Sequence, residues 1–140
     1  MKEQWLYQIR IKVNGEVAED LRNRTPSEIA DKILTISLKH EMTPVCTYDA
    51  FCDYCREAEE NDIKQYPLYD WTKATIENLE KKAKHIKSFA FYRDSDQVYE
   101  KSLALALYKD LVPLRENGNI EELSFIDSNP KNNPQPPKKN

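Results

Sequence analysis

A chain of 140 residues with 39% hydrophobic and 32% charged side chains can bury a single core without disulfide or metal staples, and its net charge of −3 gives no global attraction for nucleic acid or anionic membrane. It has only two glycines, Gly15 and Gly118, which excludes a Walker A loop or a G-x-G-x-x-G loop and with them the common nucleotide-binding classes. No run approaches the roughly 18 apolar residues of a bilayer span, "MKEQWLYQIRIKV" has no apolar leader, and an odd cysteine count suits a reducing compartment, so a cytoplasmic protein away from membranes is expected.

Taken in chain order, Trp5, Tyr7, Ile9, Ile11 and Val13 alternate with Leu6, Gln8, Arg10 and Lys12, the period of a half-buried strand. Asn14-Gly15 then predicts a two-residue hairpin turn, with "EVAEDL" (16–21) as a short acidic return strand. Thr25-Pro26-Ser27-Glu28 combines a capping box with a proline at the first helical position. It predicts a helix from Pro26 to about Glu41, with Ile29, Ala30, Ile33, Leu34 and Ile36 inward, ended by Thr43-Pro44.

A second helix is expected from Thr47, its N-cap, to about Asn61, with Tyr48, Phe51, Cys52, Cys55 and Ala58 or Glu59 on one face. After the aromatic linker "QYPLYDW", Asp70 can cap a third helix carrying Ile76, Leu79, Ala83, Ile86 and Ala90 in register. The stretch "SFAFY" (88–92) fits either its continuation or a strand, because Phe89 and Phe91 also alternate.

Asp94-Ser-Asp-Gln97 is a second capping-box pattern. The helix it would start, "QVYEKSLALALYKDLV", is apolar nearly all round and is expected to be the most buried. Gly118 suits a left-handed C-cap, and "IEELSFID" (120–127) reads as a final strand. Residues 128–140, with four prolines and no anchoring apolar side chain, are expected to be a disordered tail. The sum is a single α+β domain over residues 1–127: a small antiparallel sheet, made of the N-terminal hairpin and a C-terminal strand beside the first, packed against about four helices.

All three cysteines fall within "CTYDAFCDYC", and His40 with Cys46, Cys52 and Cys55 is a chemically legitimate zinc set. The spacing is not that of a zinc ribbon or finger. For redox work, Cys52 sits a turn inside its helix beside Asp49 and Asp53, whose charges oppose thiolate formation. Cysteine as small apolar filler on the Tyr48–Phe51 stripe is the favoured account. His40 and His85 belong to no catalytic motif. Pairing of Cys46 with His40, or of Cys52 with His85, would need the fold to bring them together.

Charge is segregated. Asp49, Asp53, Glu57, Glu59, Glu60 and Asp62 face only Arg56 in residues 47–62, whereas Lys81, Lys82, Lys84, Lys87 and Arg93 have no acid among them in residues 81–93. The second segment interleaves its cations with Phe89, Phe91 and Tyr92, a pattern suited to single-stranded nucleic acid. Tyr66, Tyr69 and Trp71 in the linker suit a lid closing the core or, in the sharper account, an exposed anchor patch for a protein partner, with the acidic face of Asp53, Glu57 and Glu60 beside it.

The reading is therefore a small non-enzymatic protein-binding domain of adaptor or regulatory type, with no cofactor implied. A nucleic-acid-binding regulator using residues 81–93 stands second and a Cys/His structural metal site third. A sheet edge could also pair two copies into a homodimer.

Overall fold

The computed structural model describes residues 6–94 and 96–127. Trp5, Ser95 and the predicted tail at 128–140 lie outside the described residues. Within them the chain runs β1 (Tyr7–Lys12), α1 (Gly15–Asn23), α2 (Glu28–Lys39), β2 (Thr43–Cys46), α3 (Thr47–Glu60), a 3₁₀ turn (Ile63–Gln65), α4 (Tyr69–Glu77), α5 (Leu79–His85), β3 (Ser88–Tyr92), α6 (Lys101–Glu116) and β4 (Glu122–Asp127). This is an α+β fold, as the sequence predicts, with more of both elements: four strands and six helices among the described residues.

The sheet order is β2-β3-β1-β4, antiparallel throughout. The helical connections from β1 to β2 and from β3 to β4 each skip over one interposed strand, so two split β-α-β units interlock. The last strand pairs with the first, Ile9 facing Phe125 and Ile11 facing Leu123, as expected.

The hairpin expectation fails. Asn14 keeps an extended backbone, and its side chain accepts a hydrogen bond from the Val17 amide at 2.9 Å, which makes it the N-cap of α1 and not a turn residue. "EVAEDL" is therefore helical. Val17, Ala18 and Leu21 form its buried side, an i, i+1, i+4 pattern that a strand could not place on one face.

The following helix starts two residues later than predicted, with Ser27 as the actual cap through its hydroxyl and the Ala30 amide. Thr43-Pro44 does not merely end it. Residues 43–46 form edge strand β2, where Pro44 is tolerated because it needs no ladder donor on that side.

The single third helix is really two. Asn78 leaves the helical region, closes α4, and caps α5 by accepting from the Lys81 amide at 3.0 Å. The open question at 88–92 resolves to strand β3, whose Phe89 and Phe91 are fully buried. Nor does Asp94-Ser-Asp-Gln97 start α6. Arg93 and Asp96 exchange backbone hydrogen bonds (2.8 and 3.0 Å) around Asp94, which adopts a left-handed conformation, and Tyr99 pairs with Tyr7 before the helix begins at Lys101. Gly118, at φ 81, provides the left-handed exit from α6 as predicted.

Alternation sorts the sheet into two faces. Ile9, Ile11, Phe89, Phe91, Cys46, Leu123 and Phe125 point to one side, where Val17, Leu21, Ile33, Leu107 and Leu111 from α1, α2 and α6 close the main core. Burial of each of the two phenylalanines is worth about 2–3 kcal/mol. Helices α3 to α5 are an excursion between the adjacent strands β2 and β3, with a small core of their own. There Cys55 and Ala58 are buried, Tyr66 packs edge-on against Tyr54 (centroids 5.4 Å), and Thr72 and Thr75 face inward.

Candidate functional site

The second face of the sheet carries a different chemistry. Gln8, Arg10 and Lys12 from β1 share it with Ser88, Ala90 and Tyr92 from β3, Val45 from β2, and Ser124 and Ile126 from β4. Arg10, Tyr92, Val45 and Ile126 are partly exposed there. Its β1 strand is polar where the first face is apolar, because every residue that alternates with Ile9 and Ile11 in β1 is polar or charged.

The α3–α5 excursion meets this face at one end. Thr47 at the start of α3 donates to the Ser88 hydroxyl (3.2 Å). Phe51, a turn further on, contacts two rings edge-on: His85 at 5.1 Å between centroids and Trp71 at 5.8 Å. Burial holds the His85 imidazole below its ordinary pKa, and the positive charges of Lys84, Arg10 and Lys81 add to the effect. A continuous strip Trp71–Phe51–His85 therefore leads from an exposed aromatic on α4 to the cationic neighbourhood of Arg10.

Among the predicted anchors, the structure separates Trp71 from the others. Trp71 is 56% exposed in the first turns of α4. Tyr66 is only 7% exposed and lines the second core, so its ring is not presented to a partner. Tyr69 spends its hydroxyl on Glu59 (2.6 Å), which also binds Lys73 (3.2 Å). This pairing holds the Glu59 carboxyl below, and the Tyr69 phenol above, its ordinary value. The three aromatics thus do not form one loop patch: Tyr66 closes the 3₁₀ turn and is buried, whereas Tyr69 and Trp71 lie in the first turn of α4. Asp53, Glu57 and Glu60 are exposed along the outer side of α3, with Asp53 bonded to Arg56 at 2.8 Å.

The basic segment does not form one surface either. Lys81 and Lys84 are exposed on α5, and Lys82 lies over the Tyr48 ring at 5.2 Å. Lys87 lies just before β3, while Arg93, just past its far end, binds Glu41 (3.2 Å); the five strand residues between them set them roughly 20 Å apart. Phe89 and Phe91, read from sequence as stacking surfaces, are buried in the main core and unavailable.

The cysteines and His40 are likewise dispersed. Cys46 is buried in the main core with its thiol directed at the His85 and Ile86 carbonyls (3.7 and 3.5 Å), Cys55 belongs to the second core, and burial raises both thiols above their ordinary pKa. His40 binds Asp110 of α6 through Nε2 at 2.7 Å. Among the described residues, no three His, Cys, Asp or Glu side chains are placed to hold a metal ion. The Cys46 thiol meets the His85 backbone carbonyl, and the His40 ring is taken by Asp110. A cavity of about 500 Å³ between α2 and α6, walled by Asp31, Thr35, Asp110 and Asn117, offers little chemistry because Asp110 is already engaged by His40 and Lys39.

Sequence reasoning missed Arg10 and Gln8. They were read as the polar side of a strand, and only the sheet order shows that this polar side lies at the centre, flanked by strands on both edges. Comparison with known proteins adds no relative: no family model, no curated protein and no solved structure matches the chain. Among the described residues no helix is long and apolar enough to cross a membrane.

Proposed function

We propose that this chain is a small non-enzymatic protein-binding domain, acting in the cytoplasm as an adaptor or regulator, with its docking surface on the strip from Trp71 through Phe51 to the Arg10 side of the sheet. The observation that carries the reading is the exposure of Trp71 against the edge of Phe51. A large aromatic left in water loses hydrophobic stabilisation, and one already seated on a second ring loses little further freedom when a partner covers it, which is the usual physics of a binding hot spot. Leu79, 82% exposed at the start of α5, and Ile63, in the 3₁₀ turn, add apolar area to the same helical excursion. Burial of Phe89 and Phe91 weakens the nucleic-acid alternative, which keeps Lys81 and Lys84 but loses its stacking surfaces.

The test is capture from the native host at low salt with and without nuclease, followed by titration of the purified catch against the wild type and Trp71→Ala. A nuclease-resistant, stoichiometric protein bound at least about tenfold more weakly by Trp71→Ala supports the reading. A nuclease-sensitive catch, or equal affinity for both, overturns it.

A further inference from the structure

Arg10 is the one arginine among the described residues that is both half-buried and without a carboxylate partner. Arg22, Arg56 and Arg93 are paired with Asp49, Asp53 and Glu41, and Arg24 and Arg115 are exposed. Its Nε is covered and has no hydrogen-bond acceptor. A guanidinium removed from water without an anion is disfavoured, and burial accordingly lowers its pKa, opposed only in part by the Tyr92 phenol.

The group is nevertheless held in one orientation. Gln8 Nε2 donates to both the backbone carbonyl (3.1 Å) and Oε1 (3.0 Å) of Gln97, which fixes the Gln8 amide and turns its oxygen toward Arg10, whose Nη2 donates to it at 2.9 Å. Directly opposite Arg10 in the flanking strands stand Ala90 and Ser124, two short side chains without charge. On α5, His85 feels Arg10 together with Lys84 and Lys81.

We propose that Arg10, oriented by Gln8 and Gln97, is the receptor for a carboxylate on an acidic, partly apolar peptide segment of the protein partner. The assignment rests on the reading of the Trp71 strip as the docking surface. An extended segment laying an apolar side chain on Trp71 and Phe51 would cross His85 and place an Asp or Glu at Arg10, where the planar fork accepts a carboxylate in two-point fashion and supplies the anion that the fold omits.

The experiment uses the full chain and follows the C2 protons of its two histidines, His40 and His85, by NMR. The probes are acetyl-Glu-Leu-Asp-Phe-amide, its Gln/Asn counterpart, and inorganic phosphate at matched ionic strength. The acidic peptide is expected to move the His85 signal saturably, to raise the His85 titration midpoint by roughly half a pH unit, and to leave His40 unmoved. It should bind about tenfold more tightly than the uncharged counterpart.

Arg10→Gln should erase that preference. Arg10→Lys, which keeps the charge without the fork, should retain part of it and guards against a folding defect in the first variant. Equal binding of the two peptides, absence of binding, tighter binding of phosphate, or a preference that survives Arg10→Gln would each overturn the assignment. If Trp71→Ala weakens both peptides alike while Arg10→Gln changes neither, the docking surface stands and the carboxylate receptor falls.

Discussion

The hydroxyl of Tyr99 donates to the carbonyl of Phe91 at 3.0 Å and, through the same oxygen, accepts from the amide of Ile9 at 3.2 Å. The registered β1–β3 pairs reach only Arg10 and Ala90, so the phenol replaces the next rung of the ladder at the point where the strands part. Tyr99→Phe leaves a buried donor and a buried acceptor unsatisfied. It is expected to cost about 1–3 kcal/mol in urea unfolding, and a loss below about 0.5 kcal/mol would mean that the backbone finds other partners.

The same residue gives a pH signature. Burial pushes the Tyr99 phenol up to about 12, whereas an unfolded tyrosine titrates near 10. The proton is thus held more tightly in the folded chain, so the contribution is fully present below about pH 10 and is lost as pH rises through about 12. Between those values the gap in stability between the wild type and Tyr99→Phe should narrow, a difference that unfolding curves at pH 9 and pH 11.5 would expose. A constant gap would remove the phenol from the alkaline response.

Asn14-Gly15 separates the two local readings experimentally. In a hairpin both positions would need positive φ and Gly15→Ala would be harmful. As the first residue of α1, Gly15 has no such need, and an added Cβ meets nothing closer than Lys87 Cε at 3.9 Å. Gly15→Ala should therefore stabilise by about 0.4–1 kcal/mol, while Asn14→Ala, which removes the cap on Val17, should cost about 1 kcal/mol. Thermal unfolding of both variants checks the pair of signs.

How far the fold was legible follows from which signals are local. The β1 alternation, the face of α3, the Gly118 exit and the β4 strand are each written in consecutive residues and were readable. Asn14-Gly15 misled because asparagine serves turns and N-caps equally well, and the choice was made by Val17 and Leu21 finding the main core. β2 was hidden because four residues with a proline become a strand only through β3. Of the site, Trp71 was visible as an anchor side chain. Arg10 was not, since its isolation from carboxylates is a property of three strands meeting.

Thiol reactivity should follow burial and not position in "CTYDAFCDYC". Cys46 and Cys55 are buried and their thiols are raised by that burial, whereas Cys52 is partly exposed. Timed alkylation of the native protein, read by mass spectrometry, is expected to modify Cys52 first, with Cys46 and Cys55 reacting only as the structure opens. Rapid modification of Cys46 would contradict its place between β2, β3 and the carbonyls of His85 and Ile86.

Asp110 ties α6 to the end of α2 by accepting from Lys39 at 3.0 Å and meeting His40 Nε2 at 2.7 Å, and these partners hold its carboxyl below its ordinary pKa, His40 foremost. A depressed carboxyl contributes stability above the unfolded value, near 3.9, and loses it as pH falls through the lower folded value. Because the carboxylate is 32% exposed, solvent screens the tie, and Asp110→Asn should cost only about 0.2–1 kcal/mol near neutrality. The cost should shrink as pH falls through the lowered folded value and the wild-type carboxyl takes up its proton. Unfolding of both proteins at pH 7 and pH 2 decides it: an undiminished difference in acid would mean that the asparagine acts through packing in the α2–α6 groove and not through lost charge.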